Sequence, residues 1–266
     1  MKACVFLGPT LPLDCVPERI DVFGPAALGS VYRAVREGYS RIGIIDGVFG
    51  VVPSVWHKEI LYAIETGATV YGASSLGALR AAELYFYGME GVGRIYRLFR
   101  SGILSDDDEV AVIHGPMNAA YGPLSEPMVN IRFTLNRMRR SGLLSRDGAA
   151  KACDQLKSLF YPERTLDRLT ACLREHGLTG DPEAAVWQCY VDVKAGDARQ
   201  LLARMSDARA PSAADRIWEF LPTRYWSMQF DRAIGDVPRL EPRRTGGVPT
   251  SKPAMSPAAG ERGPEA

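Results

Sequence analysis

The chain has 266 residues, 46% apolar and 24% charged, enough to bury one large core or one core with a smaller lobe. A formal net charge of +1 supplies no global field for nucleic acid or an anionic membrane, and no basic block is long enough to supply one locally. Cys4, Cys15, Cys153, Cys172 and Cys189 form no C-x-x-C pair, which argues against a disulfide framework or a thiolate zinc site and for a reducing compartment.

The opening "MKACVFLGPTLPL" is broken by Gly8, Pro9 and Pro12, and no run approaches the ~18 apolar residues of a membrane helix. The expectation is a cytoplasmic protein without a signal peptide. Apolar runs then alternate with helical patterns. "KACVFLG" (2–8), "RIGIIDG" (41–47), "ATVYGA" (68–73) and "EVAVIHG" (109–115) read as strands, each ending in glycine or another small residue. Between them, 24–38 carries Leu28, Val31 and Val35 on one face, and 54–67 carries Trp56, Ile60 and Ile64 at four-residue spacing. A third helix is expected over 76–87, and "GMEGVGRIYRLFRSG" (88–102) reads as a turn followed by a helix. Past Pro123 helical periodicity runs through 125–142, 145–163, 164–177 and a last segment that begins at Asp197 (197–208), with helix starts at Ser145 and at Asp181, where proline follows at the first helical position. From Val237 six prolines and four glycines leave too little apolar surface to offset ordering entropy. The expected architecture is α/β: a mostly parallel sheet layered with helices over 1–122, a helical lobe over 123–236 and a disordered proline-rich tail over 237–266.

The stretch "YGASSLGALRAAEL" (71–84) concentrates the chemistry. Ser75 lies where a strand gives way to a helix, in a small-x-Ser-x-Gly turn with Ala73 where that pattern usually has glycine. Such a turn lifts a hydroxyl clear of the sheet, beside the free N–H groups of Leu76 and Gly77, which would face an oxyanion. The same residues are also an ordinary helix cap and a close strand–helix packing site. A base for Ser75 has two sources. His114 and Asp46, at strand ends on the same edge, would complete a Ser-His-Asp triad. Lys58, in the first turn of a helix capped by Ser54, lies near the positive end of the macrodipole, where an ammonium is disfavoured, and would give a Ser-Lys pair. His57, in the first turn of the same helix as Lys58, is a candidate supporting residue, and His176 precedes a helix-ending glycine. Asp106-Asp107-Asp108-Glu109 lacks the spaced ligands of an EF-hand and reads as a solvated acidic turn before a strand or as a patch that receives a basic partner surface, so no metal site is expected. "FLGPTLP" lacks the G-x-x-x-x-G-K-[ST] pattern of a nucleotide-binding loop.

Seven strings in order, "FLGPTLP" (6–12), "IGIIDGVF" (42–49), "VWHKEIL" (55–61), "GASSLGALRAAEL" (72–84), "GMEGVGRIY" (88–96), "DDDEVAVIHGP" (106–116) and "LSEPMVNIR" (124–132), resemble the TfuA-like family over about residues 1–135. Ser74 and Leu76 stand where the family most often has Ala and Met, while Ser75, Gly77 and Arg80 match its pattern. The resemblance implies a partner of a YcaO enzyme in peptide backbone thioamidation. Such a partner would release sulfide from the thiocarboxylated C-terminus of a ubiquitin-like sulfur carrier and assist engagement of the precursor peptide, whether that matures to a ribosomal natural product or is a housekeeping protein. It implies Ser75 as nucleophile and Lys58 as base, and no cofactor of its own, since ATP and Mg²⁺ belong to the YcaO partner. Arg80 would help hold the anionic thiocarboxylate, with pairing to Glu83 or Glu90 as its ordinary alternative. The alternatives are an adaptor that bridges YcaO and its peptide without catalysis, and a serine hydrolase that uses His114.

Overall fold

The computed structural model describes residues 2–50, 52–115, 122–207 and 218–231. Five parallel strands, β1 (Lys2–Phe6), β2 (Ile20–Phe23), β3 (Tyr39–Ile44), β4 (Thr69–Gly72) and β5 (Glu90–Gly91), form one sheet in the order β2-β1-β3-β4-β5. This is the order of a doubly wound open sheet, whose crevice for ligands lies beyond the carboxyl ends of the strands. Both faces are buried. Cys4 and Phe6 of β1 point to one core and Val5 and Leu7 to the other, which is why these strands read as apolar runs without alternation.

One face carries α1 (Ser30–Arg36), α2 (His57–Glu65), α3 (Leu76–Leu84) and α4 (Gly93–Arg100), with Ile60, Ala63, Ala81 and Ile95 packed against Ile42, Ile44 and Val70. The opposite face carries α9 (Val193–Ser206), whose Ala195, Ala198, Leu201 and Met205 cover Val5, Ile45 and Tyr71. Gly43 allows this approach: a Cβ there would lie 3.0 Å from Leu201 Cδ2 and overlap Met205 Sδ. In chain order between α4 and α9, α5 (Met128–Arg140), α6 (Arg146–Ser158), α7 (Leu166–Glu175) and α8 (Pro182–Cys189) enclose a separate core of Met128, Leu135, Leu156, Leu173 and Val186. Ser145 and Asp181 cap α6 and α8 as their sequence suggests, accepting from Gly148 N and Glu183 N. Trp218 to Phe230 return across α1 and α2, stacking Phe220, Trp226 and Phe230 on Tyr32, Trp56 and Tyr62.

Four expectations change. Residues 109–115 are not a strand: a 3-10 turn at Asp107–Glu109 leads into a stretch that makes a single bridge, His114 to Pro123, because side chains claim the Val110 carbonyl. Strands β2, only four residues long and interrupted by Asp21, and β5, two residues within the stretch expected as a turn, were not expected and pair with β1 and β4. Helix α1 begins at Ser30 rather than near 24, since Ala26 and Ala27 bridge to Gly47 and Ser54 in extended form. Helix α2 begins at His57 with Trp56 at its cap, and Ser54 donates instead to Val48 O. The segment 237–266 lies outside the described residues.

Candidate active site

The carboxyl end of β4 builds the centre of the site. Ser75 N–H donates to Ala73 O at 2.9 Å, closing a γ-turn about Ser74, which at φ 68° is the one non-glycine among the described residues in the left-handed region. A backbone bent this sharply, at a cost of about 1–3 kcal/mol, marks a site that its surroundings hold in place. Helix α3 starts at once against the sheet. A Cβ on Gly77 would overlap the Ile44 carbonyl, and one on Gly72 would overlap the Gly77 carbonyl. The glycines therefore serve packing, while Ser75, at the cap of α3 without a side-chain capping bond, turns its hydroxyl elsewhere.

That hydroxyl donates to Val110 O at 3.3 Å and accepts from Lys194 Nζ at 3.2 Å, and the same amine donates to Val110 O at 2.8 Å. Ser75 is 3% exposed and Lys194 4%. Burial pushes the Lys194 pKa below the ordinary lysine value, against the raising influence of Asp46, Asp192 and Glu126. Its place in the first turn of α9, at the positive end of the helix dipole, acts in the same direction as burial. A buried amine whose pKa is lowered by burial, bonded to a serine hydroxyl, is chemically able to take that hydroxyl's proton.

Three neighbouring elements hold the pair. Helix α9 is fixed by Asp197, which accepts from Arg94 N at 2.8 Å and Ile95 N at 2.7 Å and so caps α4. Val110 is held by the acidic run before it. Arg132 binds Glu109 through two bonds of 2.9 and 2.8 Å, and the buried guanidinium of Arg164 binds Asp108 together with the Leu156 and Leu159 carbonyls. Asp106, Asp108 and Glu109 place carboxylate oxygens within 4.8 Å of one another, and the Lys157 ammonium bonds all three. Asp108 and Glu109 thus act as a clamp, while Asp106 and Asp107 stay exposed, as expected of a solvated turn. On the far side Asp46, just past β3, accepts from Gly8 N, Thr10 N and Thr10 Oγ1, which closes the crevice at the centre of the sheet.

The other sequence-derived candidates lie as follows. The structure does not bring Lys58 to Ser75: its ammonium donates to Leu221 O at 2.7 Å and sits over the Phe220 ring, fastening the 218–231 segment to α2. Neither His114, whose Nδ1 is 2.9 Å from Gly115 O, nor Asp46 shares a hydrogen bond with Ser75, so no triad forms. His57 pairs with Glu83 at 2.8 Å. Arg80 is also tied to Glu83, at 2.6 Å, and to Val55 O, while Glu90 pairs with Arg204. Gly77 N–H donates to Ile45 O at 3.4 Å, which leaves Leu76 N–H, without an acceptor among the described residues, as the amide beside Ser75.

Two hollows flank this region. A cleft of about 750 Å³ is lined by Leu76, Leu79, Arg80, Asp107 and Lys157. A polar pocket of about 40 Å³ reaches Lys194 between Thr10, Glu126, Asn130, Tyr190 and Asp192.

Sequence reading missed Lys194 because it began the helix at Asp197. The signal was present: Lys194 shares one helical stripe with Ala198, Leu201 and Met205, all buried, and a lysine on an apolar stripe needs a partner. No helix of the described residues is long and apolar enough to cross a membrane. A comparison with curated proteins finds no match. Residues 46–165 match the family model described as TfuA-like protein, a span that includes Ser75 and the acidic clamp and stops before Lys194.

Proposed function

Since the chain belongs to the TfuA-like family, we propose that it works with a YcaO enzyme and releases sulfide from a thiocarboxylated, ubiquitin-like sulfur carrier, with Ser75 as nucleophile and Lys194 as base. The observation that carries this reading is the 3.2 Å bond between two buried side chains, Lys194 Nζ and Ser75 Oγ. Lys194 replaces Lys58 in the role because it is the lysine that meets the hydroxyl.

In the proposed sequence the carrier's C-terminal tail displaces the Val110 carbonyl from the pair. Ser75 Oγ attacks the thiocarboxylate carbon as its proton passes to the neutral Lys194 amine. The tetrahedral charge meets Leu76 N–H, the start of α3 and the new ammonium. Collapse breaks the C–S bond, and Lys194 returns the proton to the departing sulfur as hydrosulfide. Water, deprotonated by the same amine, then splits the ester, so that thiocarboxylate and water become carboxylate, hydrosulfide and a proton. These steps use side chains and water alone; ATP and Mg²⁺ would act at the YcaO partner. The precursor peptide is the acceptor of the sulfur, at that partner.

Sulfide release from purified thiocarboxylated carrier tests the reading, comparing the native chain with Ser75→Ala, Lys194→Met and Lys58→Ala. The expected result is loss in the first two and retention in the third. Release that survives Ser75→Ala, or is absent from the native chain while thioamidation still depends on it, would favour a bridging adaptor.

A further inference from the structure

Asn130, on α5 and 2% exposed, directs every polar atom of its side chain at the segment that carries Lys194. Its Oδ1 accepts from Val193 N at 3.1 Å and Lys194 N at 3.3 Å. Its Nδ2 donates to Asp192 Oδ1 at 3.1 Å and to Tyr190 Oη at 3.2 Å, and Tyr190 in turn donates to Glu126 Oε2 at 2.6 Å. The first N–H groups of a helix have no partner within it, and whatever binds them sets the rotation of the first turn. Here that partner comes from a different helix, in the lobe that encloses its own core.

The same amide controls a charge. Asp192 Oδ1 is shared between Asn130 Nδ2 and Ala195 N, so the carboxylate is drawn to the start of α9. Asp192 already acts on Lys194 through space, together with Asp46 beyond β3 and Glu126 ahead of α5, and Tyr190 faces it from the α8–α9 junction across the small pocket. A carboxylate released from Asn130 would be drawn toward the ammonium and would hold the amine in its charged form.

We propose that Asn130 is a positioning residue for the Ser75–Lys194 pair, fixing the direction in which Lys194 leaves α9 and holding the Asp192 carboxylate away from its amine. The inference rests on the reading of Ser75 and Lys194 as a reacting pair. It makes the helical lobe part of the site, because the α/β core supplies the hydroxyl and α5 orients the amine.

The test is covalent labelling of the full chain by a fluorophosphonate, followed by intact mass and peptide mapping from about pH 6 to about pH 10. Ser75 Oγ forms a bond to phosphorus, fluoride leaves, and the serine proton passes to Lys194. The native chain is labelled at Ser75. Asn130→Ala and Asn130→Asp are labelled about tenfold or more slowly near neutral pH, with the midpoint of the pH profile moved upward by about one unit and the rate recovering at high pH. Asn130→Asp keeps the acceptor for Val193 and Lys194 and adds a carboxylate, so it decides the matter if Asn130→Ala fails to fold. A purely structural role would lower thermal stability without moving the midpoint. Native rate and midpoint in folded Asn130→Asp overturn the inference alone; no labelling of Ser75 in the native chain overturns the reacting pair and the inference with it.

Discussion

Replacing Lys194 by methionine should move stability and activity in opposite directions. The two side chains are of similar length, and the change removes the amine bonds to Ser75 Oγ at 3.2 Å and Val110 O at 2.8 Å. No hydrogen-bond partner of the amine is stranded, because the Ser75 hydroxyl still reaches Val110 O at 3.3 Å. What disappears is the cost of holding an amine at 4% exposure. Exchanging buried charged groups for apolar ones of similar shape is neutral or stabilising by about 1–4 kcal/mol. A middle value of about 2 kcal/mol corresponds to a rise in Tm of about 4–8 °C for a chain of this size. The pH dependence has a definite sign. Burial depresses the folded pKa of Lys194, so between that value and the unfolded value near ~10.4 the unfolded native chain binds the extra proton. The native chain therefore loses stability as pH falls through this window. The advantage of Lys194→Met is small near the unfolded value, grows as pH falls and levels off below the folded pKa. Loss of the proposed base should lower sulfide release by about 10²–10⁴-fold. Melting by circular dichroism across pH, with release measured on the same samples, checks both arms. A variant less stable than the native chain at neutral pH, or as active, refutes the reasoning.

Lys58→Ala removes the bond to Leu221 O and the contact with Phe220, and should cost about 1 kcal/mol with sulfide release unchanged; a melt and the same release assay decide. Ser74→Gly relieves a left-handed backbone and deletes a buried hydroxyl without a partner, and should raise stability by about 1 kcal/mol in denaturant titration. Burial alone would raise the Asp108 pKa, but its bonds to Lys157 and Arg164 outweigh that and hold it below the usual carboxylate range. The stabilisation this carboxylate contributes is present above its unfolded value near ~3.9 and lost as pH falls through the folded one. Hydrogen-exchange protection factors at residues 106–110 should therefore hold down to about pH 4 and fall below it, with unchanged protection in acid counting against the clamp.

Elements whose burial follows one periodicity were legible from sequence. Ile60 and Ile64 mark α2, the apolar runs mark β1, β3 and β4, and the Ser145 and Asp181 caps mark helix starts. The stretch 109–115 read as a strand but is none, because Val110 and Ala111 are buried in a loop tethered through Glu109 and Asp108 to Arg132 and Arg164 rather than by pairing in the sheet, while Ile113 is exposed. Ser75 could be read because the turn, the cap and the glycines are local. Its lysine partner could not, because Lys194 lies 119 residues away and reaches the serine only when α9 crosses the opposite face of the sheet. Local reasoning favoured Lys58, which is near the dipole of α2 but faces Leu221.

The most direct test of the central claim is to mix the chain with thiocarboxylated carrier, quench in acid within the first turnover and map the adduct by mass spectrometry. The account predicts an ester between the carrier's C-terminal carbonyl and Ser75, formed in the native chain and in Lys58→Ala and lost in Ser75→Ala and Lys194→Met. Sulfide release at the native rate from Ser75→Ala would contradict it.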